Sequence, residues 1–366
     1  MMKSIIVIPA LNPSEKLIAY TDELIRCGAE HIVIVNDGSS KEHEPIFEQL
    51  ERRSECRILV HKTNMGKGRA LKDAFSYILG QKAWTGKSVI TADSDGQHLA
   101  CDLLRLDERM GEEPALKASC LYLGCRNFDR EQIPWRSRFG NQVTSVLFRL
   151  LYRTSITDTQ TGLRGIPYEL LEPFSQLKGE RFEYEMNMLT DAALQGIPIE
   201  TIEIETVYLD NNTESHFRPI MDSFQIYRIL LGNFLKYCFS SLLSALLDLL
   251  LFMAAERLLP SGPYQILTAT VIARLFSSLF NYWYNKTRVF QDTGGAGTSI
   301  YKYYGLCIAV MLVSAGSVTL LSPLPVPNAL LKVLVDTILY FFNYYIQKYY
   351  IFKRKPLQKA DQASGL

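Results

Sequence analysis

Four apolar runs crowd the last third of the chain: "YCFSSLLSALLDLLLFMAA", "YQILTATVIARLFSSLFNYWY", "YGLCIAVMLVSAGSVTLL" and "ALLKVLVDTILYFFNYYI". Each is about 18 to 21 residues long, the length that crosses roughly 30 Å of hydrocarbon. They predict four membrane-spanning helices. Three of the runs carry ionisable residues, among them Asp248, Arg274 and Asp336. Such charges are costly in a bilayer unless they are paired. Arg274 is expected to pair with Asp336, with Asp248 or with both, in a structural bridge or in substrate passage. Positive charge sets the orientation. Arg228, Lys236, Lys286, Arg288, Lys302, Lys348, Lys353, Arg354 and Lys355 fall on one side, and the opposite loops hold only Arg257, offset by Glu256. The soluble part and both ends are therefore expected in the cytoplasm of a multi-pass cell-membrane protein.

Two of the runs repeat each other. "ARLFSSLFNYWYNKTRVF" (273–290) matches "VDTILYFFNYYIQKYYIF" (335–352) at a constant offset. Phe280-Asn281-Tyr282 aligns with Phe342-Asn343-Tyr344, Lys286 with Lys348, and Phe290 with Phe352. The four spans read as two related hairpins. Just before them, "IMDSFQIYRILLGNFLKY" reads as a helix lying at the interface. The expected divisions are a soluble domain over 1–218, a juxtamembrane helix over 219–234, a membrane domain over 235–353 and a tail over 354–366.

The first part alternates strand and helix. "SIIVIPA" (4–10), "HIVIVNDGSS" (31–40), "CRILVH" (56–61) and "SVITADSDG" (88–96) are strand-like, with helical segments between them. Strands apolar on both faces predict a mostly parallel, Rossmann-like α/β sheet covered on both sides. Ligands of such sheets bind beyond the carboxyl ends of the strands. Asn12, Asp37, Asn64, Asp93 and Asp95 cluster at those ends. Further on, 138–152 and 182–196 read as helices, "PIETIEIETVYL" as a half-exposed strand, and 158–164 as a polar loop between helices. Net charge is +1, so nothing in the charge balance points to nucleic acid. The 7 cysteines show no CxxC spacing, which argues against a disulfide framework. No secretory leader is expected, because Met1 to Pro13 shows no cleavage site.

Asp93-Ser94-Asp95 is the sharpest local feature. Two carboxylates this close raise each other's pKa unless a cation sits between them. Alone the pair is an Asp-rich turn. At a buried strand end it suits Mg2+ or Mn2+, with Gln97 able to add an oxygen. His98 does not match so oxygen-rich a site. Asn36 to Ser40 is either a sharp Asp-Gly turn or a base- and ribose-binding turn through Asp37 and Gly38. Asn64 to Arg69 is either a flexible basic loop or an anion site built on two glycines, Lys67 and a helix N-terminus. Arg126, Arg136 and Arg138 are either a solvated basic face or phosphate ligands.

Taken together, "IPALN", "VNDGSS", "NMGKGRAL", "ADSDGQH", "GCR", "RFGN" and "DTQTGLR" resemble the family 2 inverting glycosyltransferases of GT-A fold. Within that family they resemble the dolichol-phosphate mannose synthase and polyprenyl-phosphate glycosyltransferase group. The doubled FNY segment resembles the GtrA-like four-helix membrane domain. The resemblance implies a nucleotide-sugar site of Pro9, Leu11, Asn12, Glu15, Val35, Asp37, Gly38, Ser39, Asn64, Lys67, Ala92, Asp93 and Ser94. It implies metal ligands Asp93, Asp95 and Gln97, and catalytic roles for Asp93, Asp95, Asp158 and Arg126. It also implies acceptor-phosphate contacts from Arg126, Arg136, Arg138, Gln160 and His216. There are departures. Asn12 is followed by Pro13-Ser14-Glu15 where the family has Asn-Glu, and His216 stands where mannose synthases carry a lysine. The QxxRW motif of processive synthases is absent.

The expected partners are a nucleotide sugar, a polyprenyl phosphate lipid such as undecaprenyl phosphate, and the membrane, with a homo-oligomer left open. Two rivals stand beside lipid glycosylation. One is a membrane-anchored glycosyltransferase with a non-lipid acceptor, and the other is a lipid-linked sugar transporter with a degenerate transferase domain.

Overall fold

Strand β1 (Ile5–Ala10) is buried on both faces along its whole length. Such a strand must lie inside a sheet covered on both sides. β2 (Ile32–Asn36), β3 (Cys56–Val60) and β4 (Val89–Thr91) complete a parallel body with it. Three more strands extend the sheet: β5 (Leu121–Arg126), β6 (Arg164–Ile166) and β7 (Ile199–Ile204). The order is β3-β2-β1-β4-β6-β5-β7. β6 runs antiparallel to both β4 and β5, while β5 and β7 are parallel. The sheet of this GT-A-like domain is therefore mixed.

The reversed strand β6 takes in Arg164, so the expected loop, which holds over 158–163, runs into a strand rather than between two helices. It also decides which loop reaches the cleft. β4 and β5 end at the same edge of the sheet, and β6 begins there. The segment entering β6 therefore meets the segments leaving β4 and β5.

This computed structural model describes residues 1–112, 120–126, 135–205, 219–292 and 294–352. Among these, α1 (Lys16–Arg26), α2 (Glu44–Glu51), α3 (Lys67–Gly80), α4 (Ala100–Gly111), α5 (Trp135–Tyr152), α6 (Tyr168–Ser175) and α7 (Glu183–Gln195) accompany the sheet. Two apolar clusters cover its faces. One joins Val7, Val33, Phe75, Leu123, Phe148 and Leu189, and the other Ile6, Ile34, Leu17, Leu103, Tyr122 and Leu163. Helix α8 (Pro219–Leu230) packs on α5 and α7, and the Tyr152 hydroxyl donates to the Leu230 carbonyl at 3.2 Å. The chain divides into two units between Leu230 and Leu231.

The second unit holds α9 (Gly232–Leu258), α10 (Gln265–Tyr284), α11 (Ala296–Leu321) and α12 (Asn328–Ile346). Among the described residues, 3 helical segments are long and apolar enough to cross a membrane: Gly232–Leu258, Gly297–Leu321 and Asn328–Ile351. α10 forms where the second run was expected, but Thr268, Thr270, Arg274, Ser277, Ser278 and Asn281 dilute its apolar character. α9 packs on α10, and α11 on α12. Aromatic contacts recur in pairs. Tyr282 meets Phe352 at 5.7 Å as Tyr344 meets Phe290 at 5.8 Å, and Phe290 stacks on Phe352 at 5.3 Å. Asn281 joins the helices by accepting from Tyr303 at 2.7 Å and Asn285 at 2.9 Å and donating to Ser244 at 2.9 Å. Arg274 pairs with Asp248 at 3.4 Å, and Ser277 donates to the same carboxylate at 2.8 Å. Asp336 instead takes Ser314 and Lys332, so the Arg274–Asp336 alternative is not the one the fold uses.

Candidate active site

The cleft at the carboxyl edge of the parallel strands is lined by Pro9, Ala10, Leu11, Asp37, Asn64, Gly66, Lys67, Asp93 to Asp95, Arg181 and Phe182. Its floor follows from the sheet. β1 delivers Pro9 to Leu11, β2 delivers Asp37, and β4 delivers the DSD segment.

Asp37 organises the loop that leads into α3. It is buried, and both carboxylate oxygens accept from the protein: His61 at 2.7 Å and the Met65 amide at 2.8 Å on Oδ1, and the Gly66 amide at 2.8 Å on Oδ2. Gly38 follows with φ 73°, and a Cβ there would strike the Thr63 and Asn64 backbone. Only glycine lets the two loops approach so closely. Asn12 and Ser39 brace the same region. Ser39 Oγ accepts from the Asn12 amide at 2.9 Å, and Asn12 Oδ1 accepts from the Ser40 amide at 2.9 Å.

Lys67 projects from the first turn of α3 onto two carboxylates. Its ammonium lies 2.6 Å from Asp93 Oδ1 and 3.0 Å from Glu185 Oε1. Burial works against its charge, but Asp93 and Glu185 outweigh that and hold its pKa above the ordinary lysine range. Asp93 shows the complement. Burial would raise its pKa, and the Lys67 ammonium, ahead of His98 and Arg126, brings it down to about 2. Asp93 is ionised at neutral pH and keeps 32% of its side chain exposed.

His98 is not a second acid. Its Nδ1 accepts from the Asp93 amide at 3.2 Å, which places the ring proton on Nε2, 4.0 Å from Asp93 Oδ2. Burial lowers its pKa, so it is neutral. Asp95 Oδ1 accepts from the Gln97 amide at 3.1 Å, closing the turn.

On the far side of β6, Asp158 is completely buried and grips Arg126. Nε donates to Oδ2 at 2.6 Å and Nη2 to Oδ1 at 3.1 Å, while the Gln160 amide adds a bond to Oδ1 at 3.1 Å. Asn141 of α5 accepts from the Thr159 amide at 3.1 Å and donates to the Thr157 carbonyl. The turn passes close to the Asp93 carboxylate. A Cβ on Gly162 would collide with Asp93.

Of the residues expected to bind nucleotide sugar, the cleft gathers Pro9, Leu11, Asp37, Asn64, Lys67, Asp93 and Ser94. Val35 and Ala92 are buried beneath it, Gly38 and Ser39 shape its turn, and Glu15 is exposed at the start of α1 outside the lining. The Arg136 side chain and His216 lie outside the described residues. Sequence reasoning missed Arg181, Phe182 and Glu185. Its available clue was the glycine pair, since a Cβ at Gly66 or Gly68 would strike Glu180 or Tyr184 and so betrays close packing of that segment.

Residues 5–172 match the model of glycosyl transferase family 2, and residues 236–352 match the transmembrane domain of GtrA/DPMS. The chain belongs to glycosyl transferase family 2. It is 30% identical over 210 residues to an uncharacterized protein of Methanocaldococcus jannaschii, covering 56% of this chain and 82% of that one. It is 27% identical over 249 residues to the UDP-N-acetylglucosamine–dolichyl-phosphate N-acetylglucosaminyltransferase of Methanococcus voltae, covering 62% and 94%. Among solved structures, mannosyl-3-phosphoglycerate synthase from Rubrobacter xylanophilus aligns at a TM-score of 0.46 with 15% identity, over 63% of this chain and 73% of that one.

Proposed function

We propose that this glycosyltransferase moves a hexose from a UDP- or GDP-sugar to a polyprenyl phosphate, such as undecaprenyl phosphate, at the cytoplasmic membrane face. The product would be a lipid-linked monosaccharide serving cell-surface glycans. One observation carries the reading. A donor-type cleft holding Asp37, Lys67, Asp93 and Asp95 sits on a chain that continues into a GtrA/DPMS membrane domain. The Methanococcus voltae relative, whose name includes a dolichyl-phosphate acceptor, supports it.

The residues present fit Mg2+ or Mn2+. Asp93 is ionised and open to the cleft, and Asp95 lines it beside Asp93. Such ions commonly take one or two carboxylates and complete their shell with phosphate oxygens and water. Asp93 and Asp95 would hold the ion, on a turn that the Gln97 amide closes onto Asp95. When bound, it neutralises charge growing on the leaving diphosphate.

The chain's own residues then have mainly to position the reactants. Pro9 and Leu11 bound the nucleoside side, and Asp37 fixes the loop carrying Asn64 and Lys67. A lipid phosphate is already anionic near neutral pH, so its attack on the anomeric carbon needs no strong base. One displacement inverts that carbon. The barrier falls through orientation and through cations already in place. Arg126, aimed by Asp158, belongs to the acceptor side in this reading, with Arg138 and Gln160. The four helices of the second unit would all span the bilayer and hold the lipid.

The test supplies purified full-length protein with UDP- and GDP-sugars in turn, undecaprenyl phosphate and Mn2+. Lipid-linked sugar should form with one donor and vanish in Asp95→Ala. No product with any donor, or full activity in the variant, would sink the reading.

A further inference from the structure

Lys67 sits where a divalent ion at Asp93 would have to compete with it. We propose that Lys67 is a built-in counter-ion that keeps Asp93 occupied until the donor arrives, with Glu185 as its second seat. The inference rests on the donor-site reading above and adds a role for Lys67 and Glu185 within it.

The geometry restricts what can move. Gly66 has φ 100°, its amide is held by Asp37, and its Cα faces the Glu180 carbonyl. Gly68 abuts Tyr184, and the Arg69 amide donates to the Glu180 carbonyl at 3.0 Å. The Lys67 backbone is thus fixed to the start of α7. The Glu185 backbone is fixed as well, because its carbonyl accepts from Arg164 Nη1 at 2.7 Å. With both backbones held, the lysine side chain can redistribute between its two carboxylates. It is mostly buried, at 16% exposure, with the Phe182 ring 5.9 Å from its ammonium.

A divalent ion on Asp93 would face that ammonium at close range, so nucleotide-free protein should bind metal weakly. A nucleoside diphosphate offers Lys67 a new anionic partner and releases Asp93. Metal and donor then favour each other's binding, and the coupling is reciprocal.

The experiment titrates Mn2+ into detergent-solubilised full-length protein without nucleotide, following free Mn2+ by electron paramagnetic resonance. Lys67→Met should bind roughly tenfold tighter or more, the scale of removing one close like charge. Lys67→Arg keeps the charge and grips Asp93 with two hydrogen bonds, so it should bind no tighter than wild type. Glu185→Gln, which leaves Lys67 to Asp93 alone, should bind more weakly. That weakening should disappear when Glu185→Gln is added to Lys67→Met, because Glu185 acts through the lysine. Wild-type or weaker binding by Lys67→Met overturns the proposal, as does a Glu185→Gln effect of equal size in both backgrounds. Either result leaves the metal site standing if Asp95→Ala still abolishes binding. If wild type binds no Mn2+ even with UDP or GDP present, the donor-site reading falls together with the proposal.

Discussion

Arg126 and Asp158 form a two-pronged ion pair at the cleft edge, with Nε on Oδ2 at 2.6 Å and Nη2 on Oδ1 at 3.1 Å. The two ends differ in exposure, 19% for arginine and none for aspartate. Removing either partner should therefore not cost the same. Arg126→Ala strands a buried carboxylate and should destabilise by about 3–5 kcal/mol. Asp158→Asn leaves a cation that can reach water, and should cost less. Chemical denaturation of both variants checks the order, and equal losses would refute the asymmetry.

Gly162 is the position where the two sides of the cleft touch. Its Cα faces the Asp93 carboxylate so closely that an added methyl must displace it. Gly162→Ala should cost about 1–3 kcal/mol of stability through overpacking. Sugar transfer should fall roughly 100-fold, the usual effect of misplacing a reacting group by about 1 Å. Thermal midpoint and kcat measured together decide this. A stable variant with wild-type kcat would show that Asp93 position is unimportant.

His98 gives the first unit a pH dependence with a definite sign. Burial lowers its pKa in the folded state, so below about 6.5 the unfolded chain holds the extra proton. Stability contributed by neutral His98 is present above that pH and is lost as pH falls through it. The urea midpoint should drop between about pH 7.5 and 5.5, and drop less in His98→Asn. Parallel curves for the two proteins would rule His98 out as the source.

In the second unit, Asn281 joins Ser244, Asn285 and Tyr303. Hydrogen bonds between membrane helices contribute about 0.6 kcal/mol on average. Asn281→Leu should thus destabilise the bundle by about 1–2 kcal/mol. Leu275→Ala, on an exposed face, should be close to neutral. Unfolding in mixed detergent micelles compares them, and equal stability of the two variants would contradict the bridging role.

The parallel strands were legible because β1 and β2 are apolar on both faces, and the polar strand ends marked the cleft. β4 proved shorter than expected. The Thr91 hydroxyl donates to the Gly162 carbonyl at 2.8 Å and the Ala92 amide to the Val7 carbonyl at 3.0 Å, and beyond Ala92 side chains take over the backbone donors. Asp93 donates to His98 and Gln97 to Asp95, so the ladder stops. β6 was illegible. It is only three residues long, shows no alternation, and opens with Arg164, a residue that normally reads as surface but is 1% exposed here. Arg181 and Glu185 escaped notice for a related reason. Arg181 lines the cleft and Glu185 meets Lys67 through packing of their segment against α3, a long-range event that local pattern does not record.

The brevity of β6 also sets a tolerance. Arg164 lies opposite both Thr91 and Leu123, so this one short strand registers the DSD turn against the Arg126–Asp158 pair. A residue inserted within Arg164–Ile166 would slide one side of the cleft past the other by about 3.3 Å and turn alternate side chains to the wrong face. The same insertion in a peripheral turn, such as that after Gly196, would leave the two sides aligned. Length is therefore negotiable in most connections of this domain, but not in the strand that runs against the rest.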